Sequence, residues 1–87
     1  MEPDNATYSP VRIPHPSEYL DFIEVADTGK TKVWQVLSKR HGDVLALISW
    51  HGPWRQYTFR PHPNTIWNTG CLTDVQSFIR RQMEARR

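Results

Sequence analysis

The sequence predicts an α+β domain, a three- or four-stranded antiparallel β-meander packed on one C-terminal α-helix. Three observations predict it. Between residues 18 and 60, runs rich in aromatic and β-branched residues are separated by short Gly-containing turns, the pattern of strands joined as hairpins. From about Cys71 the apolar period lengthens, and Leu72, Val75, Phe78, Ile79 and Met83 recur at three- and four-residue steps on one helical stripe. The chain has 87 residues and ten aromatics, four of them Trp. Rings that each bury about 150–250 Å² are an efficient filling for a single small core.

Residues 1–17 contain Pro3, Pro10, Pro14 and Pro16 and no sustained apolar period, so they read as an extended or disordered acidic arm, with residues 18–87 as the domain. "EYLDFIEVA", residues 18–26, is a strand closed by the turn "DTGK", and "TKVWQVLSK" is the next. After the loop "RHGD", the runs "VLALISWH" and "WRQYTFR" form two more strands around Gly52-Pro53. Pro61 and Pro63 end the sheet, because proline cannot donate to a ladder. The helix runs to the C-terminus, capped by a Thr73–Gln76 box or by Asn68 or Thr69. Arg80, Arg81, Arg86 and Arg87 complement its negative end.

With Gly52 and Pro53 as the two central residues of a tight turn, His51 pairs with Trp54, Trp50 with Arg55, Ile48 with Tyr57 and Ala46 with Phe59. Alternation then gives a core face of Val44, Ala46, Ile48, Trp50, Tyr57 and Phe59, joined by Trp34 and Val36 and covered by the helix stripe. Arg55 is expected at the edge of that face, in cation–π contact with Trp50. The opposite face carries Leu45, Leu47, Ser49, His51, Trp54, Gln56, Thr58 and Arg60, with Leu37, Leu45 and Leu47 under the first strand or the arm. Trp54 is the aromatic that the core does not claim.

Net charge is +2, but its distribution is uneven. Residues 1–29 hold Arg12 against Glu2, Asp4, Glu18, Asp21, Glu24 and Asp27, a net −5. Residues 30–87 hold ten Lys or Arg against Asp43, Asp74 and Glu84, a net +7, and such asymmetry points to an anionic partner. A single cysteine, Cys71, excludes an internal disulfide framework and fits a reducing compartment. No 18-residue apolar run occurs and the N-terminus lacks the pattern of a signal peptide, so a cytoplasmic protein is expected.

Chemistry finds little support. Cys71 near a helix start with His51 or His62 as base would form a nucleophile pair, but a small thiol between a turn and an apolar stripe is ordinarily a core residue. His51, His62 and Cys71 match no paired zinc-ligand spacing, and no Gly-rich phosphate loop or carboxylate dyad is present. No enzyme, metal or cofactor is expected.

Across Val33, Trp34 and Val36, then Trp50, Gly52, Pro53, Trp54, Arg55, Gln56, Tyr57 and Phe59, then Cys71, Leu72 and Asp74, the sequence resembles a family of short uncharacterised proteins of bacterial genomes, phages and other mobile elements. The resemblance covers roughly residues 19–83. It carries no activity over, and implies a phage protein that modulates host DNA transactions or defence. The architecture is also similar to integrase arm-type DNA-binding domains, which lay an open sheet face in the major groove.

The expected function is therefore a small non-enzymatic module that binds nucleic acid through a basic, polar-aromatic sheet face. Trp54, Gln56, Arg60 and His51 reach bases or sugars, while Lys39 and Arg40, with other surface cations, meet phosphates. The alternative is a phage or mobile-element protein that binds a host protein, for example a defence factor, through a Trp54-centred patch.

Overall fold

The computed structural model describes residues 9–86. Strands β1 (Val11–Ile13), β2 (Leu20–Asp27), β3 (Lys32–Ser38), β4 (Val44–His51) and β5 (Gln56–Pro61) precede helix α1 (Thr69–Ala85). The strands form one antiparallel sheet in sequence order, and α1 packs on one of its faces. The class is the expected α+β, with five strands rather than three or four. The additional strand comes from the proline-rich segment. Pro10 and Pro14 bracket three residues extended enough to pair with β2, and residues 1–8 of the expected arm lie outside the described residues.

Alternation along the strands sends Leu20, Phe22, Trp34, Val36, Ala46, Ile48 and Tyr57 toward α1, where they are buried with Cys71, Val75 and Phe78. Trp50, Phe59 and Trp67 pack around this cluster. The rings interlock: Phe78 stacks on Phe22 at 4.3 Å and meets Trp34 edge-on at 5.2 Å, and Trp34 in turn meets Tyr57 at 4.8 Å. Edge-to-face and offset pairs of this kind add about 0.5–1.5 kcal/mol each to simple burial.

Two details of register depart from expectation, each for a backbone reason. First, proline cannot take the positive φ that a two-residue type I′ turn demands, so β4 and β5 are joined by four residues. Gly52–Trp54 form one turn of 3₁₀ helix, and Arg55 closes it at φ 54°. The pairs become His51 with Gln56, Trp50 with Tyr57 and Ile48 with Phe59. This is a shift of two residues, which leaves each side chain on its expected face. Second, Val36 pairs with Ala46 but Leu37 with Val44, a bulge that turns Leu45 against the core instead of the opposite face. Of the expected caps of α1, Asn68 is the one used: its Oδ1 accepts from the Cys71 N–H at 2.8 Å, while Thr73 Oγ1 donates to the Thr69 carbonyl and caps nothing. Starting there, the helix buries Cys71 and leaves Leu72 45% exposed.

Residues 14–17 lie along α1 as a strap. Arg81 donates to the Pro14 carbonyl at 2.9 Å and Ser17 Oγ to Asp74 Oδ2 at 2.7 Å. Between them the His15 ring sits edge-on to Phe22 and Phe78, both at 5.3 Å. The Ser77 hydroxyl gives its proton to the Asp74 carbonyl, so it accepts from His15 Nε2, 2.9 Å away. His15 Nδ1 is left buried without a partner among the described residues. Burial, with Arg81 nearby, pushes the His15 pKa below its ordinary value, against a smaller opposing pull from Asp74.

Both sheet edges are blunted. On β5 the Tyr57 N–H points away from β4 and reaches Met83 Sδ at 3.4 Å, and Pro61 has no N–H to offer.

Two outcomes follow from this packing. Phe78→Ala removes the ring shared by α1, β2 and β3 and should cost about 3–5 kcal/mol in urea unfolding. His15 is held neutral when folded, so its contribution is complete above the ordinary histidine pKa and is lost as pH falls below it toward the depressed folded value. The urea midpoint should therefore fall as pH is lowered below about 6.5, and His15→Gln should remove most of that dependence.

Candidate functional site

The sheet face opposite α1 is covered by no described helix or strand. Its centre is apolar, with Ile23, Val33, Leu37 and Leu47 half-buried by their neighbours. Neither the first predicted strand nor residues 9–17 lie over these leucines; β2 and β1 extend the sheet edgewise instead. Polar residues occupy its rim. Arg12 and Asp21 form an ion pair at 2.9 Å on the β1–β2 side, and Gln56, Thr58 and Arg60 line β5.

Four of the expected site residues come together at the β4–β5 end. His51 lies opposite Gln56 in the ladder. Its ring meets Trp54 edge-on at 4.7 Å, and its Nδ1 stands 3.4 Å from Arg60 Nη2. The cluster is built by the turn: the 3₁₀ geometry lifts Trp54 off the strand, out over His51, and leaves it 66% exposed. A ring of that size held in solvent against a histidine is an apolar contact surface with polar neighbours.

Lys39 and Arg40 do not join them. They sit in the β3–β4 loop, at the other end of β4 and roughly 25 Å away for a strand of this length. Lys39 is tied there, its Nζ donating to the Ser17 carbonyl at 2.7 Å.

Ion pairing redistributes the charge asymmetry seen in the sequence. Asp21 is answered by Arg12, and Glu24 and Asp27 lie 3.4 and 4.0 Å from Lys32 Nζ. Two cations thus offset most of the three negative charges of β2. Residues 44–73 contain no Asp or Glu at all, so Arg55 and Arg60 keep their positive field over the β4–β5 half.

Two arginines sit where sequence reasoning did not put them. The cation over Trp50 is Arg86, not Arg55: its guanidinium lies 4.0 Å from the ring centroid and donates to the Lys30 carbonyl at 2.6 Å. Helical periodicity alone cannot tell which strand residue the last turn of a helix will meet. Arg55 occupies the left-handed region, φ 54° and ψ 47°, which costs a residue with a Cβ about 1–2 kcal/mol. The Gly52-Pro53 dipeptide was the only available signal for this turn, and it gives no indication of which residue takes the left-handed position.

The structure does not bring Cys71 and His51 together. Cys71 is buried in the core beneath α1, whereas His51 lies on the opposite sheet face. Among the described residues no group of three or more His, Cys, Asp and Glu stands close enough to hold a metal ion, and no helix is long and apolar enough to cross a membrane.

Over 72 residues the chain is 39% identical to a protein of Acholeplasma phage L2 named "Uncharacterized 9.3 kDa protein", an alignment covering 82% of this chain and 92% of that one. No family model and no solved structure matches the chain.

The two tryptophans that flank the β4–β5 turn should separate in unfolding experiments. Trp54→Ala should change stability by less than about 0.5 kcal/mol, whereas Trp50→Ala, which removes a packed ring and the seat of Arg86, should cost about 3 kcal/mol.

Proposed function

The chain belongs to the family of that Acholeplasma phage L2 protein, and on this basis we propose that it is a small non-enzymatic module of a phage or other mobile element that binds nucleic acid in the cytoplasm. What carries this assignment is the meeting of Trp54, His51, Gln56 and Arg60 on one open sheet face, within a stretch free of carboxylates. Arg55 and Arg60 supply charge for phosphates. Gln56 and His51 supply donors and acceptors for sugars or base edges, and Trp54 supplies an apolar surface. The phage relative supports the phage or mobile-element setting.

A second reading has its own support. The half-buried Ile23, Val33, Leu37 and Leu47 at the centre of the open face suit the apolar core of a protein interface, with Trp54 as its anchor and Arg60 at its rim. A host protein is then the partner.

Titration of labelled duplex and single-stranded oligonucleotides by fluorescence anisotropy tests the first reading. Saturable micromolar binding that weakens steeply with salt is the expected result. Trp54→Ala should cost about 1–3 kcal/mol of affinity, and Arg60→Ala should lower the salt slope by about one phosphate contact. No binding at low salt would remove the nucleic-acid reading, leaving the host protein to be sought by affinity capture with Trp54→Ala as control.

A further inference from the structure

We infer that the tip of the β4–β5 hairpin, residues 52–55, is a clamp for single-stranded nucleic acid, in which Trp54 stacks on an unpaired base and Arg55 holds the adjoining phosphate. This rests on the nucleic-acid reading and narrows its substrate class.

The backbone of the tip carries the assignment of Arg55. A four-residue hairpin turn of this kind needs one residue in the left-handed region, where glycine or asparagine is the unstrained choice. Here the glycine of the turn is Gly52, whose φ is ordinary and around which a Cβ would meet no atom within 4 Å. The left-handed position is given to arginine instead, against its conformational preference. Stability does not account for that choice. The side chain is exposed, and its guanidinium has no partner among the described residues. Three other arginines are held by partners of this chain: Arg12 by Asp21, Arg81 by the Pro14 carbonyl and Arg86 by the Lys30 carbonyl. Local strain kept without any folding benefit, at an exposed charged residue, marks a functional position.

The neighbouring residues specify the ligand. Trp54 is 66% exposed and is held from below by the edge contact with His51, so its ring is positioned rather than free. Gly52 beside it has no side chain to keep a ligand away. An aromatic face of this kind recognises the face of a base, which an unpaired strand can present and a stacked duplex cannot. The flat part of the sheet, which would have to enter a groove, is lined at its centre by Val33, Leu37 and Leu47; these offer base edges neither donors nor acceptors.

The test is anisotropy titration of the full chain against labelled oligo-dT and a duplex of equal length at low salt, using wild type, Arg55→Gly and the charge control Arg40→Ala, with thermal melts of each. Wild type should favour oligo-dT by about tenfold or more. Arg55→Gly should melt a few degrees higher, since glycine relieves the left-handed position, yet lose about tenfold in oligo-dT affinity. Arg40→Ala should lose clearly less. A wild type that binds duplex at least as tightly overturns the clamp while the nucleic-acid reading stands. So does an Arg55→Gly variant that loses no more than Arg40→Ala, or one that melts lower than wild type. Absence of binding to both probes removes the underlying reading as well.

Discussion

One ring holds this molecule together. Phe78 stacks flat on Phe22 of β2, meets Trp34 of β3 edge-on and closes on His15 of the strap, so a single side chain from the single helix joins three separate parts of the chain. A domain this small has no second layer to share the task. Everything that faces α1 is arranged around that contact, with the rings passing it along through Trp34 and Tyr57 to Trp50, where Arg86 caps the series. Because the helix secures one face so completely, the other face needs no cover to be stable. The candidate site is the consequence of that one-sided core.

The electrostatics follow the same logic of division. The acidic N-terminal third and the basic remainder are not two surfaces facing apart, since β1, β2 and β3 are neighbours and settle most of their charge across the ladder. What stays unbalanced is the β4–β5 half, and there the number of cations is small. On the proposed function, recognition depends on where two arginines and a tryptophan are placed, more than on total charge.

Most of the fold was legible because it is written in period. Alternation in "VLALISWH" and "WRQYTFR" placed Ala46, Ile48, Trp50, Tyr57 and Phe59 correctly, and it survived a wrong turn assignment because a two-residue shift preserves parity. Period cannot reveal a bulge, so Leu45 was assigned to the wrong face. Nor can it reveal a strand of three residues between prolines, whose pairing is decided by the β2 edge rather than by its own composition. In the site, His51, Gln56 and Arg60 were legible as one face of a hairpin. Trp54 was found for the wrong reason, as a strand residue instead of a turn residue. Lys39 and Arg40 share the charge but not the place, and the cation over Trp50 is Arg86 rather than Arg55 because contacts across the tertiary structure leave no local trace.

The treatment of the sheet edges has a consequence for how the molecule behaves in bulk. An exposed five-stranded sheet with an apolar centre is the sort of surface that invites a second copy to add its strands and begin a fibre. Here β1 is only three residues long between Pro10 and Pro14, and β5 presents a proline at Pro61 and a Tyr57 N–H already occupied by sulfur. Growth is stopped chemically at both borders instead of by a lid. A chain with a face that no described helix or strand covers can thus stay monomeric at concentrations where an unguarded sheet would polymerise.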